Sequence, residues 1–299
     1  MTAIDELRRQ KVGLWTGLPD AVSAGQTVDV ASELEGLGYG SLWFGEAYGG
    51  ESFTTAMLLA SATSSLIIGT GIANMYARGP MAAGAAARTT HAFSNGRFVL
   101  GLGVSHQPLV ESDRKMAYAP PVTTMRKYLD GIEQATYLGA NADLPPIVLA
   151  ALGPKMVELS RDRTAGALPY LMTPEHTRLA RETLGESALL VVVQAVVLHQ
   201  EREESLRRAH ENLNIYTELL NYRNHFVREG FSEDDLVRGG SDRMADALVA
   251  MGDEDTVLKK INELLDAGAD HVCIEVLGSN MADVPLAEWR SLAAALPRL

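Results

Sequence analysis

The sequence predicts an α/β chain folded as a single (β/α)8 barrel, a TIM barrel with insertions. Three observations carry that expectation. Eight short apolar runs recur along the chain, each bounded by Gly, Pro or polar residues. Helical stretches separate them throughout, as consecutive parallel strands require. The 299 residues show no composition break, linker or low-complexity segment, so residues 1–299 are expected to form one domain. An open doubly wound sheet is the alternative; the strand count and the length favour the barrel.

Residues 12–18 read as the first strand. A helix over 26–37 follows, with Val30, Leu34 and Leu37 on one face and Gly38 as its stop. Residues 41–46 make the second strand and 53–65 a helix. The third strand, 66–72, precedes an alanine-rich helix over 80–93, whose small side chains let it lie close to a sheet. Asn95 and Gly96 are natural left-handed caps for that helix. The run Phe98-Val99-Leu100-Gly101-Leu102-Gly103 is then a fourth strand buried on both faces. Its two glycines imply a close backbone approach at its far end.

A helix over 121–138 has proline near its first turn. Residues 147–151 form the fifth strand, and Gly153-Pro154 opens a helix that runs to 164. The sixth strand spans 167–172, and Thr173-Pro174 reads as an N-cap with proline at the first helical position. The seventh strand is 189–198. A long stretch over 201–229, rich in Arg and Glu, exceeds what a minimal barrel needs. With a shorter helix over 241–251 it is expected to make a helical insertion over residues 201–251. A solvated charged helix is the plain reading of its first part, a lid or oligomer surface the other. An amphipathic helix ending at Gly268, an eighth strand over 271–277 and a helix over 285–296 complete the chain.

Composition excludes several classes. Hydrophobic residues make 46% and charged residues 21%, ordinary globular values. A net charge of −12 with no Lys/Arg cluster argues against nucleic acid and anionic membrane as partners. The single cysteine, Cys273, lies in an apolar run and reads as a buried hydrophobe in a reducing compartment. Residues 1–9 are polar and charged, unlike a signal peptide, and the run 189–198 is too short to span a bilayer. A cytoplasmic protein is expected.

In a barrel, function gathers at the C-terminal ends of the strands. The first strand offers Trp15, the second Gly45 and Glu46, the third Gly71, Ile72 and Asn74. Gly103, Ser105 and His106 close the fourth, and the fifth runs into Ala151, Leu152, Gly153, Pro154 and Lys155. A carboxylate such as Glu46 at the end of an apolar strand has a partner or a task; a buried pair with Arg78 or Arg97 is the structural alternative. His106 suits acid or base chemistry, or the capping of a loop. Gly153-Pro154 with Lys155 makes either an anion site at a helix N-terminus or an ordinary turn. Gly101-x-Gly103-x-x-His106 lacks the third glycine of a dinucleotide turn. No metal-binding spacing occurs among the seven histidines, and no nucleophile elbow, P-loop or strand-borne lysine appears. By elimination, the hard chemistry belongs to an organic cofactor.

Four blocks in order, Trp43-Phe44-Gly45-Glu46, Gly69-Thr70-Gly71-Ile72, Gly96-Arg97-Phe98-Val99-Leu100-Gly101-Leu102-Gly103 and Ala151-Leu152-Gly153-Pro154, resemble the luciferase-like monooxygenase family. The particular look is that of its deazaflavin (coenzyme F420)-dependent oxidoreductases, over nearly the whole chain. The resemblance implies a cofactor ring across the barrel mouth, buttressed by a bulge with a non-prolyl cis peptide at Gly71-Ile72. It puts the phosphate arm near Gly153-Pro154 and brings Ser105 and His106 to the substrate side. Relatives carry an acid-His pair after the second strand, where this chain has Glu46-Ala47. Others place a catalytic Glu near the end of the fourth strand, where this chain has His106. The Ala-Asp-Gly usual before the sixth strand reads Thr164-Ala165-Gly166. On this reading His106 is the proton donor, and Glu46 orients it or holds the cofactor. The implied function is hydride transfer between F420 and a small organic substrate, in a homodimer. An FMN-dependent monooxygenase using O2 and a non-catalytic cofactor-binding barrel are the alternatives.

Overall fold

The computed structural model describes residues 2–140, 143–280 and 283–298. Its strands are β1 (Val12–Trp15), β2 (Ser41–Phe44), β3 (Ile67–Thr70), β4 (Ala73–Asn74), β5 (Phe98–Gly103), β6 (Ile147–Leu149), β7 (Gly166–Ala167), β8 (Leu189–Leu198), β9 (Val249–Gly252) and β10 (His271–Val276). Hydrogen bonding runs β10-β1-β2-β3-β5-β6-β7-β8 and returns from β8 to β10, closing an eight-stranded parallel (β/α)8 barrel. Eight strands were expected at these places in the chain; the sixth is shorter and earlier than expected, Gly166–Ala167 in place of 167–172.

The other two are additions with local causes. β4 pairs with β5 after a bulge has ended β3. β9 corrects the helix expected over 241–251, which occupies Asp242–Leu248 alone. The short β7 bonds to Leu189 and Leu190 of β8, leaving the far half of that edge open. Val249 to Gly252 fill the edge from Ala195 to Leu198 and satisfy its backbone groups. The long helix expected over 201–229 is two helices, Arg202–Tyr216 and Leu220–Arg228.

Strand alternation sorts the core into two populations. Trp43, Ile67, Val99, Val148, Val191 and Cys273 pack inside the barrel. Leu14, Leu42, Ile68, Leu100, Val192 and Ile274 point outward onto the helices. A helix absent from the expected elements, Ala3–Gln10, plugs the lower end with Ala3 and Leu7. Its charges lie on the outer face, which hid its apolar side among polar residues. His271 ties it down: Nδ1 donates to the Leu7 carbonyl (3.0 Å), and Nε2 accepts from Ser41 Oγ (2.7 Å). Trp43 Nε1 donates to the same Ser41 oxygen at 2.8 Å. Burial pushes the His271 imidazole down to about 4, so it stays neutral.

The Gly96-Arg97-Phe98 block has a structural cause. Asn95 and Gly96 adopt positive φ, 54° and 82°, and turn the chain out of its helix. Arg97 then donates to the carbonyls of Ala60, Thr63 and Leu66, closing the C-terminal end of the neighbouring helix Ser52–Ala62. Phe98 enters the core fully buried.

Candidate active site

The upper mouth of the barrel is built around the end of β3. The Gly71-Ile72 peptide is cis, at the position the resemblance implied. Three contacts fix it. Trp15 Nε1 donates to the Gly71 carbonyl at 2.6 Å, Gly71 N–H donates to the Phe44 carbonyl at 2.6 Å, and Glu46 N–H donates to the Ile72 carbonyl at 3.1 Å. Trp15 thus lies against the bulge and continues it as a flat apolar surface.

The glycines here have a narrower task than expected. A Cβ on Gly101 would stand 1.9 Å from the Thr70 carbonyl oxygen, and one on Gly103 would stand 2.4 Å from the Ile72 side chain. A Cβ on Gly71 would meet the Trp15 indole nitrogen at 2.7 Å. The space these residues leave is filled by the protein itself. They admit Ile72 and Trp15, and those two side chains form the surface.

Glu46 stands behind that surface. Its side chain is 6% exposed and pairs with the Arg78 guanidinium through both oxygens. Oε2 also accepts from Asn74 N–H at 2.8 Å, and Oε1 from Ser52 N–H at 3.2 Å. Arg78 has Glu51 as a second partner at 2.8 Å. Every acceptor direction of Glu46 is therefore occupied, and the geometry gives it a positioning role under the bulge. Gly45 backs onto Trp15, and Asn74 pairs with Gly103 while its Oδ1 accepts from Tyr76 N–H. Gly45, Glu46 and Asn74 lie outside the lining of the mouth. The other residues singled out from the sequence, Trp15, Gly71, Ile72, Gly103, Ser105, His106 and Ala151 to Lys155, all line it.

They enclose a cavity of about 560 Å³, a size typical of small-molecule sites. At one end, helix Pro154–Arg163 begins with no side chain capping it. Its free N–H groups and positive dipole end face the cavity beside Lys155. Arg228 lies over Gly153, with Nη2 donating to the Leu152 carbonyl at 3.3 Å. Positive charge and free donors are thus gathered at this end of the cavity. His106 lies on another wall, beside Asn221 and with its ring 5.9 Å from the Tyr222 ring centre. Burial lowers its pKa and so disfavours the charged imidazolium.

The remaining wall was not legible in the sequence. Tyr216, Asn221, Tyr222 and Arg228 come from the two helices that replace the expected single one, and Tyr170 and Glu275 from barrel strand ends. The Tyr170 and Tyr216 rings meet edge to face at 5.2 Å, and the Tyr216 and Tyr222 rings lie tilted at 4.6 Å. Burial pushes Glu275 up to about 7. Its signal was available: like Glu46, it is a lone carboxylate in an otherwise apolar strand. Among the described residues no group of three or more His, Cys, Asp or Glu could hold a metal ion, and no helix is long and apolar enough to cross a membrane.

Comparison with known proteins places the chain in context. The profile of the luciferase-like monooxygenase family matches residues 11–271. A Mycobacterium tuberculosis protein provisionally named a coenzyme F420-dependent oxidoreductase is 28% identical over 207 residues, 59% of this chain and 60% of that protein. The chain therefore spans less than two thirds of that relative. Among solved structures, the coenzyme F420-dependent tetrahydromethanopterin reductase of Methanopyrus kandleri superposes with TM-score 0.69 at 19% identity, over 95% of this chain and 97% of that one. The oxygenating constituent of 3,6-diketocamphane monooxygenase from Pseudomonas putida, in complex with FMN, also gives 0.69, at 14% identity over 95% of both chains. Both structures share the barrel, and their equal scores favour neither cofactor.

Proposed function

The chain belongs to the luciferase-like monooxygenase family, and from that membership we propose an oxidoreductase that exchanges a hydride between coenzyme F420 and a small organic substrate. The observation that carries this reading is the two-ended cavity. A flat surface of Trp15 and the Gly71-Ile72 bulge stands at one side, and an anion end of Arg228, Lys155 and a helix N-terminus at another. Those residues fit a planar ring with a phosphate-bearing arm. The 28% identical relative, named for F420, favours the deazaflavin over FMN.

When bound, the deazaflavin supplies a carbon that gives or takes a hydride, where FMN can also activate oxygen. The protein's own part is placement. Trp15, Gly71 and Ile72 support one ring face, and Arg228 and Lys155 hold the arm. The apolar wall of Tyr216 and Tyr222 keeps water from the other face, which strengthens polar interactions there.

Fluorescence titration tests the cofactor. Trp15 lines the cavity, whereas Trp43 and Trp289 are buried away from it. F420 should quench Trp15 emission at micromolar concentration, with FMN at least tenfold weaker. FMN binding more tightly than F420 would reverse the choice of cofactor. Failure of both to bind would leave the binding reading without support.

A further inference from the structure

Glu275 occupies an interior-facing position near the end of β10, two residues beyond Cys273, which packs inside the barrel. It is the sole carboxylate lining the cavity among the described residues. Its neighbours on every side are uncharged. Tyr170 follows β7, Tyr216 ends the helix Arg202–Tyr216, and Tyr222 belongs to the helix Leu220–Arg228. Ala195 is its strand partner on β8. No cation among the described residues pairs with it.

One contact has a fixed polarity. Asn212 Nδ2 donates to the Tyr170 hydroxyl at 2.8 Å. The Tyr170 oxygen is used as an acceptor there, so its own hydrogen is free to turn toward Glu275 or Tyr216, both of which it faces. Glu275 itself lines the cavity beside Tyr170.

We propose that Glu275 is the proton donor of this site, with Tyr170 as its positioning residue, and that the substrate carries a polarised C=C or C=O bond. The assignment rests on the proposed hydride chemistry. The hydride brings its electron pair to one carbon of the double bond, and the π pair of that bond shifts to the neighbouring carbon or oxygen. The Glu275 O–H bond breaks, and its proton joins the neighbouring carbon or oxygen. The reduced deazaflavin is the two-electron donor. The proton its ring releases on oxidation matches the one that water returns to the carboxylate. In the opposite direction Glu275 takes the proton.

The other polar groups are poorly suited. The tyrosines Tyr170 and Tyr222 are pushed well above their ordinary value by burial and retain their protons. His106 is lowered, and its Nδ1 is buried without a partner. Lys155 and Arg228 belong to the anion end. Burial sets Glu275 near neutrality, where a group both holds and yields a proton.

The test begins without cofactor. Infrared difference spectra of wild type against Glu275→Gln, taken from about pH 5 to about pH 9, should show a protonated carboxyl band that disappears with a midpoint near 7. A carboxyl already ionised at about pH 5 overturns the proposal. Next, F420 titration should give Glu275→Gln an affinity within about twofold of wild type, and reduction of cyclohex-2-enone by reduced F420 should fall at least about 100-fold. Glu275→Asp should recover part of that loss. Tyr170→Phe should shift the pH midpoint of turnover while cofactor affinity holds. Turnover by Glu275→Gln within about threefold of wild type overturns the proposal and leaves the cofactor reading intact. Wild-type protein that fails to bind F420 strikes the cofactor reading instead.

Discussion

The indole of Trp15 holds the carbonyl of Gly71 at 2.6 Å, across from the first barrel strand to the bulge that ends the third. One side chain therefore both supports the predicted ring surface and fixes the peptide beside it. Trp15→Phe keeps most of the apolar area and removes the hydrogen bond. About 1 kcal/mol is at stake, so F420 affinity should weaken roughly fivefold while the fold is retained. Circular dichroism and equilibrium dialysis check the two halves. Unchanged affinity would detach the bulge from the cofactor.

Glu46→Gln separates a structural from a catalytic carboxylate. The buried pair with Arg78 loses a charge, and Glu51 remains to compensate part of it. Stability in urea should fall by about 2–3 kcal/mol, at the low side of the range for a broken buried pair. A loss of turnover of 100-fold at unchanged stability would instead make Glu46 a participant in the chemistry.

Arg228→Gln addresses the anion end. Arg228 is exposed, and among the described residues no carboxylate bonds its guanidinium. Stability should change little. Cofactor affinity should drop about tenfold, the worth of one hydrogen bond to a charged group, and wild-type affinity should weaken as salt rises.

Glu275 gives a pH signature in stability. Its native pKa of about 7 lies above the ordinary 4.5 of a glutamate. Between those values the native state keeps a proton that the unfolded state has released, so stability falls as pH rises through the window and stays low above it. The cost approaches about 3 kcal/mol at pH 8. Glu275→Gln should match wild type near pH 4.5 and exceed it by that order at pH 8. Urea titrations at both pH values decide it.

His271 acts in the opposite sense. Its native value of about 4 lies below the ordinary 6.5, so the unfolded chain takes up a proton in that window and the native chain does not. Stability should fall as pH drops from about 6.5 to about 4. Replacing His271 with Gln should flatten that acid limb. Gly13→Ala should damage the same floor, because its Cβ would lie 1.9 Å from Ser41 Oγ. Thermal melts across the acid range measure both.

The barrel was legible because each of its eight strands is a short apolar run between breakers, and length with flanking Gly and Pro identifies such runs where period alone does not. The mouth was legible on the β1-to-β6 side, where Trp15, Gly71, His106 and Gly153 fall at strand ends. Glu46 was read as a possible pair with Arg78, which the structure contains; its catalytic reading depended on where its oxygens point, and sequence carries no such information. The opposite wall escaped because Tyr216, Tyr222 and Arg228 sit on helices whose many charges mask an inner face of Leu213, Tyr222 and Phe226. Glycine was the subtler case. Gly101 and Gly103 correctly signalled a close approach, but the approaching groups are Thr70 and Ile72.

β8 bonds along one edge first to β7 and then to β9. Everything between its end and β9, including Tyr216, Tyr222 and Arg228, thus leaves the barrel and returns to the same strand. That loop is a cassette: its two anchor points are neighbours, and no barrel ladder runs through it. Exchange of this segment between homologues would change which molecules are accepted while the platform and the eight-stranded ladder stay as they are. In this architecture, that wall can diverge within one contiguous segment of the chain.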